Sequence, residues 1–277
     1  MIKVSAVVVW YNPSDEDKKN ITSYLDGIDR LYIVDNSESV NKYFNSDKIE
    51  YIYNGENFGI AKALNIGCEL AIRDGFDWII TMDQDTIFDS SGINKIKDYI
   101  MNNDTSNYGI ISPWHNTKLH KSKPDQEFDY PLDVMTSGNF LNLEVYLKNG
   151  KFKEEYFIDG VDMEYCLRLK KNGYQVLRIN SIEILHNLGD IEYKYFLKKE
   201  LLCLNHNYLR VYYKVRNYNY INKEYGYLYP EFCKRIIKLK QLIWCIIFYE
   251  KDKMRKLRSI YYALKDFKKG ILGKYNH

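Results

Sequence analysis

Residues 77–86 read Asp77-Trp78-Ile79-Ile80-Thr81-Met82-Asp83-Gln84-Asp85-Thr86, an apolar run that ends in two carboxylates one residue apart. The run predicts a buried strand over Asp77–Met82. Strand side chains alternate faces, so Asp83 and Asp85 point the same way if the strand continues and converge if it bends. Hard divalent cations such as Mg²⁺ or Mn²⁺ take oxygen ligands, and Mg²⁺ is commonly held by one or two carboxylates together with substrate phosphates. Two readings stand open for the stretch: a cation site that carries a diphosphate, or a polar turn that closes a strand.

Outward from this strand, β and α signals alternate. Val4–Trp10 is a β-rich run, and Ser14 opens a polar helical stretch through about Leu25. Arg30–Val34 is a second strand that ends at Asp35-Asn36-Ser37. Ile49–Tyr53 is a third, followed by Gly55, Asn57, Gly59 and a helix through Arg73. This alternation predicts an α/β domain with a mostly parallel central sheet and helices on both faces. Ligands of such sheets bind outside the carboxyl ends of the strands. Tyr11-Asn12-Pro13, Asp35-Asn36-Ser37, Asn57-Phe58-Gly59 and Asp83-Gln84-Asp85 all fall at such ends. Four polar ends on one rim favour the cation reading over an isolated turn.

Further on, Gly109–Pro113, Val134–Thr136 and Asn139–Leu143 alternate less regularly and predict antiparallel or added strands. Val161–Asn172 reads as a helix ended by Gly173, with a strand over Gln175–Ile179. From about Tyr193 the pattern is helical to the end, a C-terminal helical extension. Within it, Ile236–Tyr249 mixes Lys238, Lys240 and Gln241 into an apolar stretch, which suits either packing on the domain or a membrane interface.

The 277 residues suffice for a large domain with an appendage, and 45% hydrophobic with 28% charged residues fits a globular protein. Cys68, Cys166, Cys203, Cys233 and Cys245 are scattered with no Cys-x-x-Cys pair, which argues against a disulfide framework or a zinc site and fits a reducing compartment. Met1–Val9 is apolar like a short signal segment, but it runs into Trp10-Tyr11-Asn12-Pro13 without a small-residue cleavage site, so a first core strand is expected. No apolar run reaches the roughly 18 residues of a spanning helix. Charge is lopsided. Residues 191–277 carry 20 Lys/Arg against 7 Asp/Glu, a balance of +13, while residues 1–190 carry 20 against 30, a balance of −10. The basic segment calls for an anionic partner, nucleic acid or an anionic membrane surface.

Taken in order, these pieces resemble glycosyltransferase family 2, the inverting GT-A enzymes, and within it the bacterial rhamnosyltransferase-like branch. The matching residues are Val7-Val8-Val9-Trp10-Tyr11-Asn12-Pro13, Val34-Asp35-Asn36-Ser37, and Asn57-Phe58-Gly59-Ile60-Ala61 with Ala63-Leu64-Asn65 and Gly67. They continue with Asp83-Gln84-Asp85-Thr86, Thr136-Ser137-Gly138, Phe157-Ile158-Asp159 with Asp162, Glu164 and Cys166-Leu167-Arg168, and His186 with Gly189. Asp-Gln-Asp, and Arg210, Tyr212, Tyr213, Arg216 and Asn217 further on, carry the likeness to the rhamnosyl branch.

The resemblance implies a GT-A catalytic domain over 1–190, with a nucleotide-sugar half to about 105 and an acceptor half from about 106, followed by the basic region 191–277. It implies donor contacts from Tyr11, Asn12, Asp35, Asn36, Asn57, Gly59, Asn65, Asp83, Gln84 and Arg216. A carboxylate only accepts hydrogen bonds, so Asp35 suits the N3–H of a pyrimidine, with Asn36 as the other candidate. Small residues and helix N–H groups at Asn57 and Gly59 suit phosphate. Asp83 and Asp85, with His186, would hold Mn²⁺ or Mg²⁺ on the diphosphate. Thr136, Ser137, Gly138, Asp159 and Glu164 would lie on the acceptor side. Asp162 sits at the family's position for the general base, and in the first turn of a helix the macrodipole favours its ionised form.

The activity so implied is metal-dependent, inverting transfer of L-rhamnose from dTDP-L-rhamnose to a hydroxyl of a growing, lipid-linked glycan of the bacterial surface, such as capsule or cell-wall polysaccharide. The same fold with a UDP-hexose donor is the alternative. A sugar nucleotidyltransferase would want a Gly-rich, basic phosphate loop after the first strand, and Trp10-Tyr11-Asn12-Pro13-Ser14 is not one. Tyr interleaved with Lys and Arg over Tyr208–Tyr220 resembles a stacking surface, but no nucleic-acid-binding motif accompanies it. The expected place is therefore the cytoplasmic face of the cell membrane, as a peripheral protein; the oligomeric state stays open.

Overall fold

The structure, a computed structural model, describes residues 2–42, 46–117, 123–185, 191–196, 199–236 and 238–277. They form two compact units, Met1–Lys153 with Asp162–Asn187, and Glu154–Val161 with Leu188–His277.

The first unit holds β1 (Val4–Trp10), α1 (Asp15–Asn20), β2 (Arg30–Asp35), β3 (Ile49–Tyr53), α2 (Ile60–Arg73), β4 (Trp78–Asp83), α3 (Ser90–Asn102), β5 (Tyr108–Asn116), β6 (Phe128–Asp129), β7 (Asn139–Asn142), α4 (Leu143–Asn149), almost all of α5 (Val161–Lys171), and β8 (Gln175–Leu185). Its strands form one sheet in the order β3-β2-β1-β4-β7-β5-β8-β6. The first four are parallel neighbours. β7 runs antiparallel to β4 and β5, β8 parallel to β5, and β6 antiparallel to β8. Strand order reverses at β1: the chain lays β2 and β3 on one side, then returns to place β4 on the other. That reversal opens a crevice beyond the carboxyl ends of β1 and β4.

The central strand is buried on both faces, as a helix-covered parallel sheet requires. Val4, Ala6, Val8 and Trp10 share a core with Ile80 and Met82 of β4 and Ile93 and Ile96 of α3. Val7 points the other way, onto α2. There Gly67 is needed, because a Cβ at that position would stand 2.3 Å from Val7 Cγ2. The helix thereby sits low on the sheet, and its first turn, entered through Gly59 at φ 85°, reaches the rim.

Several boundaries differ from expectation. The helix opened by Ser14 ends at Asn20 and gives way to two 3₁₀ turns, Ile21–Ser23 and Leu25–Gly27. Val134–Thr136 is not a strand. The Thr136 carbonyl accepts the Thr81 hydroxyl instead of a ladder bond. β8 continues past Ile179 to Leu185 because β5 runs beside it as far as Asn116.

The second unit opens with an antiparallel hairpin, β9 (Glu192–Phe196) and β10 (Lys199–Cys203), where the sequence predicted helix. The alternation Glu192-Tyr193-Lys194-Tyr195 is a period-two pattern rich in β-forming Tyr, and pairing with β10 satisfies it. Four helices follow: α6 (Tyr208–Tyr225), α7 (Pro230–Ile236), α8 (Leu239–Phe248) and α9 (Lys253–Lys269). Val211, Tyr212, Val215, Ile246, Ile260 and Ala263 form their core. Glu250 and Lys256 form a buried ion pair at 2.7 Å. The five cysteines are free and buried. Among the described residues no helix is long and apolar enough to cross a membrane.

Gly67→Ala tests the close approach of α2 to β1. Overpacking there should lower stability by about 1–3 kcal/mol, read as a lower urea midpoint with an unchanged slope. An unchanged midpoint would show that the helix slides away without loss.

Candidate active site

The rim at the crevice is tied together by Gln84. Its side-chain oxygen accepts the Tyr11 N–H at 2.8 Å, and its amide donates to Asp17 Oδ2 at 3.3 Å. Asn20 Nδ2 donates to the Gln84 carbonyl at 3.0 Å. Asp17 is itself part of the capping box with Ser14 that starts α1. Gln84 thus cross-links the loops after β1 and β4. The flanking carboxylates are half-buried at Asp83 and exposed at Asp85. Tyr11 is 49% exposed, and the Asn12 N–H donates to Ser37 Oγ at 2.7 Å.

Behind the rim, Asp35 is fully buried and its carboxylate accepts from Tyr51 Oη, Ser37 N and Asn41 Nδ2. Asn36, also buried, donates to the Gly59 carbonyl at 3.1 Å and accepts from Asn54 Nδ2 at 2.8 Å. Asn57 Oδ1 accepts the Gly59 N–H at 2.8 Å, an Asx turn that leads into α2. Gly59, as N-cap, brings no side chain to the first N–H groups of α2, so that positive helix end keeps its anion-binding character. Asn65, expected at the donor, is a staple instead. It is fully buried, accepts from Tyr146 Oη and the Phe152 N–H, and donates to the Phe152 carbonyl.

Thr136, Ser137 and Gly138 buttress β4. Gly138 N–H donates to the Thr81 carbonyl at 2.7 Å, and Ser137 Oγ accepts the Asp83 N–H at 3.0 Å while donating to Thr86 Oγ1. The buried His115 Nε2 lies 2.6 Å from the Ser137 carbonyl. Gly138 has φ 79°, and a Cβ there would lie 2.5 Å from Ile184 Cδ1. Of the three, Thr136 alone is partly exposed, and it lines a pocket of about 270 Å³, mouth included, with Thr81, Asn139, Asp162, Tyr165 and Cys166. Thr81 precedes Asp83 by two residues on β4, so the candidate base shares a cleft with the strand that carries the carboxylate pair.

Asp162 and Glu164 both lie in the first turn of α5 but have different surroundings. Asp162 is half-buried and opens on the pocket. Glu164, expected near the acceptor, is fully buried and holds Arg168 through Nε at 2.9 Å and Nη2 at 3.0 Å, with Lys153 at 3.2 Å. Arg168 also donates to the carbonyls of Asn149, Gly150 and Lys151. The Glu164–Arg168 pair therefore secures the chain after α4. Cys166 is a neutral thiol: burial pushes it well up, and Asp133, Asp162 and Glu164 add to the push. It has no thiolate to offer as a nucleophile.

In the second unit, Asp159 (φ 60°) carries a side chain 8% exposed, bound through both oxygens by Arg210 at 2.7 and 3.1 Å. Burial would raise its carboxyl, but the Arg210 guanidinium overrides this and holds it below the ordinary carboxylate range. Arg216, expected as a diphosphate clamp, is fully buried and donates to the carbonyls of Gly273, Glu155 and Tyr156. Asn217 Nδ2 donates to the carbonyls of Tyr156, Ile158 and Asp159. Together they pin the segment that runs into α5, and Arg216 as placed has no face for a phosphate.

Asp83 and Asp85 offer oxygen donors only, which fits a hard cation that takes its other ligands from a diphosphate and water. Among the described residues no group of three or more His, Cys, Asp or Glu is placed to hold a metal. His186 lies outside the described residues. The described strand β8 ends at Leu185, whose backbone bridges to Ile87, two residues beyond Asp85. Tyr51, Asn54 and His115, which the sequence did not single out, emerge with Ser37 as supports of the rim; Ser37 and His115 are buried, Tyr51 and Asn54 partly so. Ser37 was legible as the third polar residue of a strand-end cluster, but nothing local marks the other three.

A mixed α/β sheet whose order reverses beside a carboxylate-bearing rim is the architecture of GT-A glycosyltransferases. The description "Glycosyl transferase family 2" matches residues 5–166. The chain is 31% identical over 241 residues to dTDP-rhamnosyl transferase RfbF of Shigella flexneri, covering 77% of this chain and 78% of that protein. It is 23% identical over 209 residues to the low-salt glycan biosynthesis hexosyltransferase Agl10 of Haloferax volcanii, covering 66% and 67%. Among solved structures, S. aureus TarS 1-349 superposes with a TM-score of 0.50 at 12% identity, over 100% of this chain and 93% of that one. GalNAc-T7 with UDP, GalNAc and Mn²⁺ superposes with a TM-score of 0.51 at 12% identity, over 68% of this chain and 43% of that one. These structures share the fold. The chain belongs to glycosyltransferase family 2, and it is a glycosyltransferase.

The surroundings of Asp159 make a pH prediction. His206 is pushed down to about 3, first by burial and then by Arg210, while Asp159 opposes the shift. Unfolded, the imidazole titrates near ~6.5, so the unfolded chain binds more protons between the two values and stability rises with pH across that window. Melting temperature should fall as pH drops from about 6.5 toward 5, and His206→Gln should flatten that fall. An equal fall in the variant would place the acid sensitivity elsewhere.

Proposed function

We propose that the enzyme transfers L-rhamnose from dTDP-L-rhamnose, with inversion, to a hydroxyl of a growing, lipid-linked bacterial surface polysaccharide at an anionic membrane surface. The observation that carries the donor assignment is the 31% identity to a dTDP-rhamnosyl transferase across 77% of the chain. The site supports the chemistry independently of the sugar.

In this reading, the nucleotide lies over the carboxyl ends of β1 and β2, near Tyr11, Asn12 and the Asp35–Asn36 pair. The buried carboxylate of Asp35 already takes three donors, so its contribution is to hold the Ser37 and Asn41 backbone and side chain that border the base. The diphosphate faces the N–H groups at the start of α2, with Asn57 and Gly59 shaping the approach. A divalent cation on Asp83 and Asp85 would neutralise the charge that builds on the departing diphosphate. His186 is the further ligand that the family resemblance implies.

Asp162 takes the proton from the acceptor hydroxyl as that oxygen forms its bond to the anomeric carbon. The bond from that carbon to the diphosphate oxygen breaks, and dTDP leaves with the electron pair. The helix N-terminus keeps Asp162 ionised before the reaction. Thr136 and Asn139 line the same pocket and would orient the acceptor.

Asp162→Asn should lower kcat by roughly two to four orders of magnitude with dTDP affinity unchanged. Turnover near wild type would remove Asp162 from the mechanism. Asp85→Ala should abolish the dependence of dTDP binding on Mn²⁺ in calorimetry; wild-type binding that is equal with and without Mn²⁺ would end the metal assignment. A nucleotide-sugar panel monitored by thermal stabilisation decides the donor. Preference for a UDP-hexose over dTDP-rhamnose would overturn the sugar and leave the mechanism standing.

A further inference from the structure

The end of α8 carries an apolar surface that the reaction does not use. Trp244 is 41% exposed, Ile247 41% and Phe248 52%. With the exposed Lys240 they occupy one helical face, at spacings of four, seven and eight residues. The opposite face, Cys245 and Ile246, is buried, and Leu239, Leu242 and Ile243 pack on the unit's own core. Trp244 and Phe248 stack on each other at 4.9 Å, which presents them as one plate. The Tyr249 hydroxyl donates to the Tyr195 carbonyl at 3.0 Å, and the Tyr195 ring, 69% exposed with its own hydroxyl on Glu200 Oε1 at 3.2 Å, adds a further aromatic from the hairpin.

Charge surrounds this plate. Five residues after Phe248 the chain enters α9, and Lys251, Lys253, Met254 and Arg255 at the junction are all exposed, as is Asp252, which lies 3.9 Å from Arg255. Arg258, Tyr261, Lys268 and Lys269 continue the exposed face of α9. The single acid within α9, Asp266, is buried and bonded to Tyr212 and His277, so Asp252 at the N-cap is the acid that offsets the start of that face, leaving a net excess of Lys and Arg. An aromatic and aliphatic plate with a cationic border matches the lipid interface, where Trp and Tyr seat at headgroup depth and Lys or Arg meet anionic lipid.

We propose that Trp244, Ile247 and Phe248 dock into the headgroup region of an anionic bilayer, with Lys251, Lys253 and Arg255 on the lipid headgroups. The proposal rests on the membrane reading above and names the element that performs it. A second copy of the chain fits less well. Three partly exposed side chains are a small share of the ~800 Å² per partner that a stable interface buries, and a twofold contact would bring two cationic borders together.

Tryptophan fluorescence makes the test direct. Trp10, Trp78 and Trp114 are at most 5% exposed, so Trp244 is the tryptophan that a brominated lipid can reach. The full chain should float with phosphatidylcholine vesicles containing phosphatidylglycerol, but not with phosphatidylcholine alone, and brominated chains should quench it. Trp244→Ala/Phe248→Ala should bind at least about tenfold more weakly, with melting temperature and dTDP affinity retained as fold controls. Lys251→Ala and Lys253→Ala should each weaken binding about fivefold at low salt. Equal flotation of the Trp244→Ala/Phe248→Ala variant would overturn this assignment while leaving membrane association standing, and no flotation of the wild type would overturn both. A wild-type dimer by sedimentation that the same variant dissolves would assign the plate to self-association. Loss of single-stranded oligonucleotide binding in that variant, without flotation of the wild type, would assign it to nucleic acid.

Discussion

The amide of Gln84 is the contact on which the rim depends. It accepts from the backbone after β1 and donates to Asp17, a pair of roles that a carboxylate at the same position could not fill. The Ser137 hydroxyl pins the Asp83 N–H from across the sheet. The backbone that carries Asp83 and Gln84 is therefore held from two directions. Gln84 thus has an architectural part in the rim, joining the loop after β1 to α1 and the end of β4.

The arginines of the second unit follow a similar logic. Arg210 is matched to a buried carboxylate, and Arg216 spends its donors on backbone carbonyls of a segment with left-handed residues at Phe157 and Asp159. Such backbone is unfavourable for residues with side chains and persists where surrounding bonds over-determine it. Asn217, with three carbonyls around one amide nitrogen, supplies much of that constraint. The segment leads directly into the turn that bears Asp162. Arg216, which the family resemblance put at the donor, is thus internal scaffolding.

That difference marks where the sequence was legible. Hydrophobic runs bounded by polar clusters located β1 to β4 and α2 within a residue or two, since burial on both faces leaves an unambiguous signature in Val7-Val8-Val9 and Trp78-Ile79-Ile80. The reading failed for the hairpin of Glu192 to Cys203, where charged residues alternating with Tyr resemble a solvated helix unless period two is counted. It failed also for the partners of Asn65, Glu164 and Arg216. A motif marks a polar side chain as important but does not say whether it meets a ligand or a carbonyl brought close by the fold. Asn65 meets the backbone of Phe152 and Arg216 that of Gly273, and neither neighbour is visible before the chain is folded.

The same distinction separates Asp162 from the two carboxylates beside it. Asp159 has an arginine and a depressed carboxyl; Glu164 has an arginine, a lysine and no exposure. Fixed cations occupy the oxygens of each, Arg210 on Asp159 and Arg168 with Lys153 on Glu164. Asp162 stands between them in the chain with its side chain on a pocket that also holds the hydroxyl-bearing Thr81 and Thr136. The two committed acids thus serve to fix the chain on either side of the one that faces the cleft.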